Sequence, residues 1–384
     1  MSRLNETIDV LDRLIGFPTI SSDSNMDCIL YLQDYLTNLG ARCELTSEEE
    51  GKANLFATLG PDGDGGIILS GHTDVVPVEG QNWTSDPFIM RKDDGKLYGR
   101  GTCDMKGFIA ASIVTAQEYA KRDLKRPLHF AFTYDEETGC TGARVLVNQL
   151  IANGLKPSVC IVGEPTSMRI IDGHKGCSSF STDFTGVEGH SSLPGHAVNA
   201  LEYASRFVAH LMELRKEMPA RAPKDTKFDP PYTTSSVCGM HSGVAHNVIP
   251  NKALVEWEMR AIQQTDHDYI CDKMQDYVDG VLLPEMKAKS PNANIEEVFR
   301  SVGEPLEPDV HSEAVKLIRD LTGSNSTDVV SFGTEAGIFQ GAGVSAALCG
   351  PGSIEQAHRP DEFVEITQMD ECLKMLDRLV EKLI

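Results

Sequence analysis

Apolar positions along the chain keep two different rhythms. Leu4, Ile8, Leu11 and Ile15 recur at helical spacing until Gly16 and Pro18 stop the pattern. A polar cluster at 21–25 separates them from a second helix, carried by Ile29, Leu32, Leu36 and Leu39 and closed by Gly40. Strands are predicted over 42–46 and 54–59, with a glycine-rich turn at 60–66. Four short apolar runs follow, at 67–69, 128–134, 159–162 and 344–348, and polar or acidic residues come after each. Helical stretches such as 108–120 and 143–152 lie between them. Strands alternating with helices predict an α/β fold, a mainly parallel central sheet flanked by helices.

The middle of the chain is organised differently. Phe180, Thr182 and Phe184 alternate as a strand does. Leu201, Ala204, Val208 and Leu211 mark a long helix expected to end near Pro219. Strands are predicted at 232–240 and 252–260; in the second, Ala253, Val255, Trp257 and Met259 share one face. Tyr269, Met274, Tyr277 and Val281 mark another helix, and 294–299 a last strand. This βαββαβ order is the ferredoxin-like motif. It predicts an inserted domain at 176–298 within a domain built from 1–175 and 299–384, which closes with helices at 314–321 and 366–383.

Composition narrows the function. The 384 residues are 41% apolar and carry a net charge of −22, with no basic cluster. Nucleic acid and anionic membranes are therefore not expected as partners. The first 14 residues are charged and amphipathic, unlike a signal peptide. No apolar run approaches the roughly 20 residues of a membrane helix. Ten scattered cysteines without a C-x-x-C pair suit reduced thiols in a cytoplasmic protein.

The chemistry gathers after the strands. Open parallel sheets bind ligands beyond the carboxyl ends of their strands. His72, Asp104, Glu137, Glu164 and His358 all fall there. Two imidazoles and three carboxylates exceed what one structural zinc needs, and suit a pair of divalent ions with one carboxylate bridging. Asp104, at the opening of a helix, is the candidate bridge; taken singly it would read as a helix cap. Asp74, two residues after His72, is placed to hold the ring nitrogen that a metal does not use. Glu136, beside Glu137, points another way and is suited to shuttle a proton.

These residues sit in Ser70-Gly-His-Thr-Asp-Val-Val-Pro77, Gly99-Arg-Gly-Thr-Cys-Asp-Met-Lys-Gly107, Asp135-Glu-Glu-Thr138, Gly163-Glu-Pro-Thr166, Gly189-His-Ser-Ser192 and Ala357-His-Arg-Pro-Asp-Glu362. Together the motifs resemble the dinuclear metallohydrolases, which include acetylornithine deacetylase, succinyl-diaminopimelate desuccinylase, aminoacylases and glutamate carboxypeptidases. The resemblance covers nearly the whole chain and implies a zinc-exopeptidase-like fold. It implies two ions, zinc or cobalt: His72, Asp104 and Glu164 on one, Asp104, Glu137 and His358 on the other. Glu136 would be general base and acid. The inserted domain would dimerise and close over the site, with His190 reaching the partner subunit's site.

His174-Lys-Gly176, Gly333-Thr-Glu-Ala336 and Gly350-Pro-Gly-Ser-Ile354 look like the acetylornithine deacetylase branch. That branch implies an N-acetyl-ornithine substrate and a place in arginine biosynthesis. Desuccinylase and broad aminoacylase or dipeptidase activities remain as alternatives. Asn247 and Arg260 match the family's binders of the substrate carboxylate, although Arg260 also reads as an edge-strand solubility residue. Glu335 either pairs with a cationic substrate tail or is structural.

Overall fold

The computed structural model describes residues 2–384. The chain divides into two units. One comprises Met1–Gly173, Pro308–Val329 and Thr334–Ile384; the other comprises His174–Glu307 and Val330–Gly333.

The first unit is built on an eight-stranded sheet. Its centre is four strands in the order Leu128–Thr133, Ile67–His72, Val159–Pro165, Ser345–Gly350, every neighbouring pair parallel. Antiparallel strands flank them, Asn54–Leu59 and Arg42–Thr46 on one side and Ile170–His174 on the other. All residues of Ile67–His72, Leu128–Thr133 and Val159–Pro165 are buried. That explains their continuous apolar runs, since a strand covered on both faces has no polar side to show.

Register then does the positioning. His72 pairs with Thr133, and Ser70 pairs with Val162. The turn after Thr133 therefore leaves the sheet level with His72, carrying Asp135-Glu136-Glu137, and Glu164 lies level with it near the end of strand Val159–Pro165. Helix Lys106–Tyr119 packs beneath them and is buried on almost every side. Gly163 is needed for this close approach: a Cβ there would lie 1.9 Å from the Phe108 ring.

The second unit is a four-stranded antiparallel sheet in the order Thr234–Ser242, Lys252–Arg260, Ser178–Thr185, Asn294–Ser301. Helices Ala200–Arg221 and Gln264–Tyr277 complete the βαββαβ sequence. Phe180 and Trp257 stack at 4.0 Å in its core. The sequence bounded this insertion at 176–298; the structure carries it further. Asn294–Ser301 stays paired to Ser301, and backbone bonds between Cys177 and Gly303 and between His174 and Leu306 join the two ends. The first helix ends at Arg221, near Pro219 as expected. A proline in the last turn forfeits a single backbone bond, and Asp266 holds Arg221 there at 2.7 Å.

Gly163→Ala should destabilise the chain by about 1–3 kcal/mol, the usual range for overpacking a core. Urea unfolding would show it as a lower midpoint at unchanged slope. A wild-type midpoint would mean that the contact between Gly163 and Phe108 is loose.

Candidate metal centre

The five residues chosen from strand ends come together in the first unit. His72 is fully buried at the end of its strand. Its Nε2 lies 3.0 Å from Asp104 Oδ1. The other oxygen of Asp104 lies 3.3 Å from His358 Nε2, which is also 3.0 Å from Glu137 Oε2. One carboxylate is thus divided between two imidazoles. Asp104 is no helix cap: helix Lys106–Tyr119 has Met105 at its N-cap, with no side-chain capping bond. Ligand atoms of His72, Glu136 and Glu164 fall within 4.8 Å of one another, as do those of His72, Asp104 and Glu137. Glu136 therefore stands among the potential ligands rather than apart from them.

The donor set fits divalent ions. His72 Nδ1 lies 2.9 Å from the carbonyl oxygen of Asp74, which only accepts, so Nδ1 carries the ring proton. Nε2 then turns a lone pair towards Asp104, and a cation between them satisfies both. Glu164 is buried, and its Oε1 has no hydrogen-bond partner among the described residues. Burial, then the Asp104 and Glu136 carboxylates, push Glu164 well above the ordinary carboxylate range. Burial, with Glu137, Asp104 and Asp74 nearby, does the same to Glu136 against the pull of His72. Such a cluster ionises together only beside added positive charge. Cys103, next to Asp104, does not join: burial pushes its thiol up, and Sγ donates to the Ser353 carbonyl at 3.2 Å.

Three neighbouring acids splay apart after strand Leu128–Thr133. Asp135 adopts a φ of 54° and takes the Lys52 ammonium at 2.6 Å. Glu137 turns to His358. Glu136 receives the Cys140 thiol at 3.5 Å. Lys52 was not singled out by the sequence, because only the fold brings it to the acidic turn, 83 residues away along the chain.

One expectation gains detail and one is corrected. The carboxylate of Asp74 pairs with His72 Nδ1 at 3.6 Å, and its backbone carbonyl lies nearer the same nitrogen, at 2.9 Å. That carboxylate accepts the Ser21 hydroxyl at 2.7 Å and the backbone N–H groups of Glu136 and Glu137 at 3.1 and 3.3 Å. Asp74 thus organises the acidic turn. Glu335 is fully buried, and its two oxygens accept the hydroxyls of Ser70 and Thr133. It ties two parallel strands together and is not exposed to pair with a substrate tail.

The remaining candidates lie in the second unit. His190 is exposed in the short strand Gly189–His190, which pairs with Val248–Ile249. Its Nδ1 contacts Ser192 Oγ at 2.7 Å, and the Ser191 N–H donates to the Asn247 carbonyl at 3.1 Å. His190 and Asn247 are therefore neighbours. Arg260 is half-buried and reaches Glu258 at 3.2 Å.

Comparison with known proteins identifies the family. The description Peptidase family M20/M25/M40 matches residues 68–382. The chain is 34% identical over 372 residues to an acetylornithine deacetylase of Shigella sonnei (strain Ss046), covering 95% of this chain and 94% of that one. It is 35% identical over 387 aligned positions to that of Proteus mirabilis (strain HI4320), covering 99% and 97%. A solved Bacillus subtilis structure, described as a dinuclear metal-binding peptidase from the M20 family, superposes with a TM-score of 0.65 at 16% identity. It covers 99% of this chain and 98% of that one, a likeness of fold. With the family matched along most of its length, this chain belongs to peptidase family M20/M25/M40.

Proposed function

We propose that this chain is a two-metal amidohydrolase that removes the acetyl group from N-acetyl-L-ornithine, giving ornithine and acetate. The observation that carries the chemistry is Asp104, whose two oxygens face His72 and His358 at 3.0 and 3.3 Å. The choice of substrate rests on the likeness to acetylornithine deacetylases over nearly the whole chain.

His72, Asp104 and Glu164 would hold one ion, and Asp104, Glu137 and His358 the other, as the nitrogen and oxygen donors of zinc or cobalt. When bound, such ions would supply Lewis acidity for an amide carbonyl and for water beside it. Glu136, its backbone fixed by Asp74, takes a proton from the water that attacks the acetyl carbon. As the carbon–nitrogen bond breaks, the same carboxyl returns the proton to the departing amine, so no proton is lost or gained. Asn247 and Arg260 are proposed to bind the substrate α-carboxylate, an anion suited to a guanidinium fork.

The second unit is proposed as a dimerisation domain and lid, with His190 stabilising the oxyanion in the partner subunit's site. The βαββαβ sheet and the exposure of His190 support that reading. A cytoplasmic location is proposed from the ten scattered cysteines, none of them in a C-x-x-C pair. No described helix is long and apolar enough to cross a membrane.

Glu136→Gln should lower turnover by about 10² or more, while elemental analysis still finds two ions per subunit. Near-normal turnover would place the general base elsewhere.

His190→Ala should impair turnover more than metal binding. Mixing it with Glu136→Gln should regain activity in hybrid dimers, where one composite site is intact. A monomer that is fully active at assay concentration would contradict this.

A hydrolysis screen with added zinc or cobalt tests the substrate. N-acetyl-ornithine should give the highest kcat/KM, and succinyl-diaminopimelate should be poor. Preference for the succinyl substrate would make the chain a desuccinylase. Equal cleavage of ornithine and norvaline derivatives would make it a general aminoacylase.

A further inference from the structure

We infer that Glu362, acting with Arg100 and Gln81, is a positioning residue that fixes Asp104 and His358 relative to each other and so sets how tightly their shared ion is held. The inference rests on the two-metal reading above. None of the three residues is among the candidate ligands.

Glu362 is buried, only 1% exposed. It directly precedes strand Phe363–Glu365, which pairs antiparallel with Lys96–Tyr98. The chain leaving His358 is thereby laid against the chain that enters the Asp104 loop. One side-chain oxygen, Oε1, accepts three backbone N–H groups, from Gly101 at 3.0 Å, Cys103 at 2.9 Å and Asp104 at 3.1 Å. These are charge-assisted bonds, and their convergence on one atom fixes the shape of the loop. The other oxygen accepts Arg100 Nη1 at 2.6 Å.

Arg100 carries the connection across to the second imidazole. The same Nη1 lies 3.4 Å from the Arg359 carbonyl, and Nη2 donates to Gln81 Oε1 at 2.7 Å. Gln81 Nε2 then donates to the His358 carbonyl at 2.9 Å. His358 has a φ of 63°, a left-handed conformation that a non-glycine residue keeps when its surroundings hold it there. The links run from the Asp104 backbone through Glu362, Arg100 and Gln81 to the His358 backbone.

A buried ion pair alone says little, because desolvation offsets much of its attraction. This pair differs in where its bonds end. The Glu362 end bonds the main chain of Asp104, and the Arg100 end reaches that of His358 through Gln81. Partners of that kind orient metal ligands, and losing one commonly lowers metal affinity by about 10–100-fold.

Glu362→Gln keeps the side chain's size but turns one end into a donor facing Arg100. Gln81→Met, at a half-exposed position, breaks only the bonds of Gln81 and covers the case in which Glu362→Gln does not fold. Both are compared with the wild-type chain by chelator competition for each ion and by the visible absorption of the cobalt-loaded protein. One of the two ions should bind about 10–100-fold more weakly in Glu362→Gln, with a changed cobalt spectrum. Gln81→Met should shift both in the same direction by less. Wild-type affinities and spectrum in folded Glu362→Gln, or in Gln81→Met if the first variant does not fold, would overturn the inference. A wild-type chain that takes up no second ion would overturn the two-metal reading, and this inference with it.

Discussion

The first unit depends on one electrostatic constraint, the crowding of carboxylates at the ends of buried strands. Asp104, Glu136, Glu137 and Glu164 meet buried His72 and the more exposed His358 at one edge of the sheet. Each acid would be costly there alone, since burial disfavours its charged form. Together, with two imidazoles, they form a site suited to divalent ions. The parallel register makes the gathering possible, because strands of one direction deliver their following residues to one edge.

Around the cluster, neutral and paired groups hold the ligand backbones. The Asp74 carbonyl fixes the His72 ring, and its carboxylate fixes the two N–H groups of the acidic turn. Glu335 ties Ser70 to Thr133 directly beneath. Lys52 draws Asp135 away from its neighbours. Glu335, weighed from the sequence as a substrate contact, thus proves to be a support. Its chemistry was legible, but not the direction its side chain takes.

The second unit shows the same division. Alternation in Ser178–Thr185 and Lys252–Arg260 announced strands with one buried face, and both are found. Its limits were harder to read. The strands that end the insertion are held by bonds between residues about 130 apart, such as His174 and Leu306, and local pattern carries no trace of these.

What the sequence by itself determined is the set of elements and the identity of the reacting groups. Apolar period separates the buried parallel strands from the half-buried antiparallel ones, since burial on one face or two leaves different patterns. The His72, Glu136, Glu137 and Glu164 motifs follow strands, so their meeting was foreseeable once the sheet was parallel. The tertiary structure alone decided which atoms face which. It divided Asp104 between two imidazoles, buried Glu335, and ran Glu362 through Arg100 to Gln81. The reason is physical. Period and propensity act over neighbouring residues, whereas a hydrogen bond between residues 258 apart, as from Asp104 to Glu362, exists only after the chain has closed on itself.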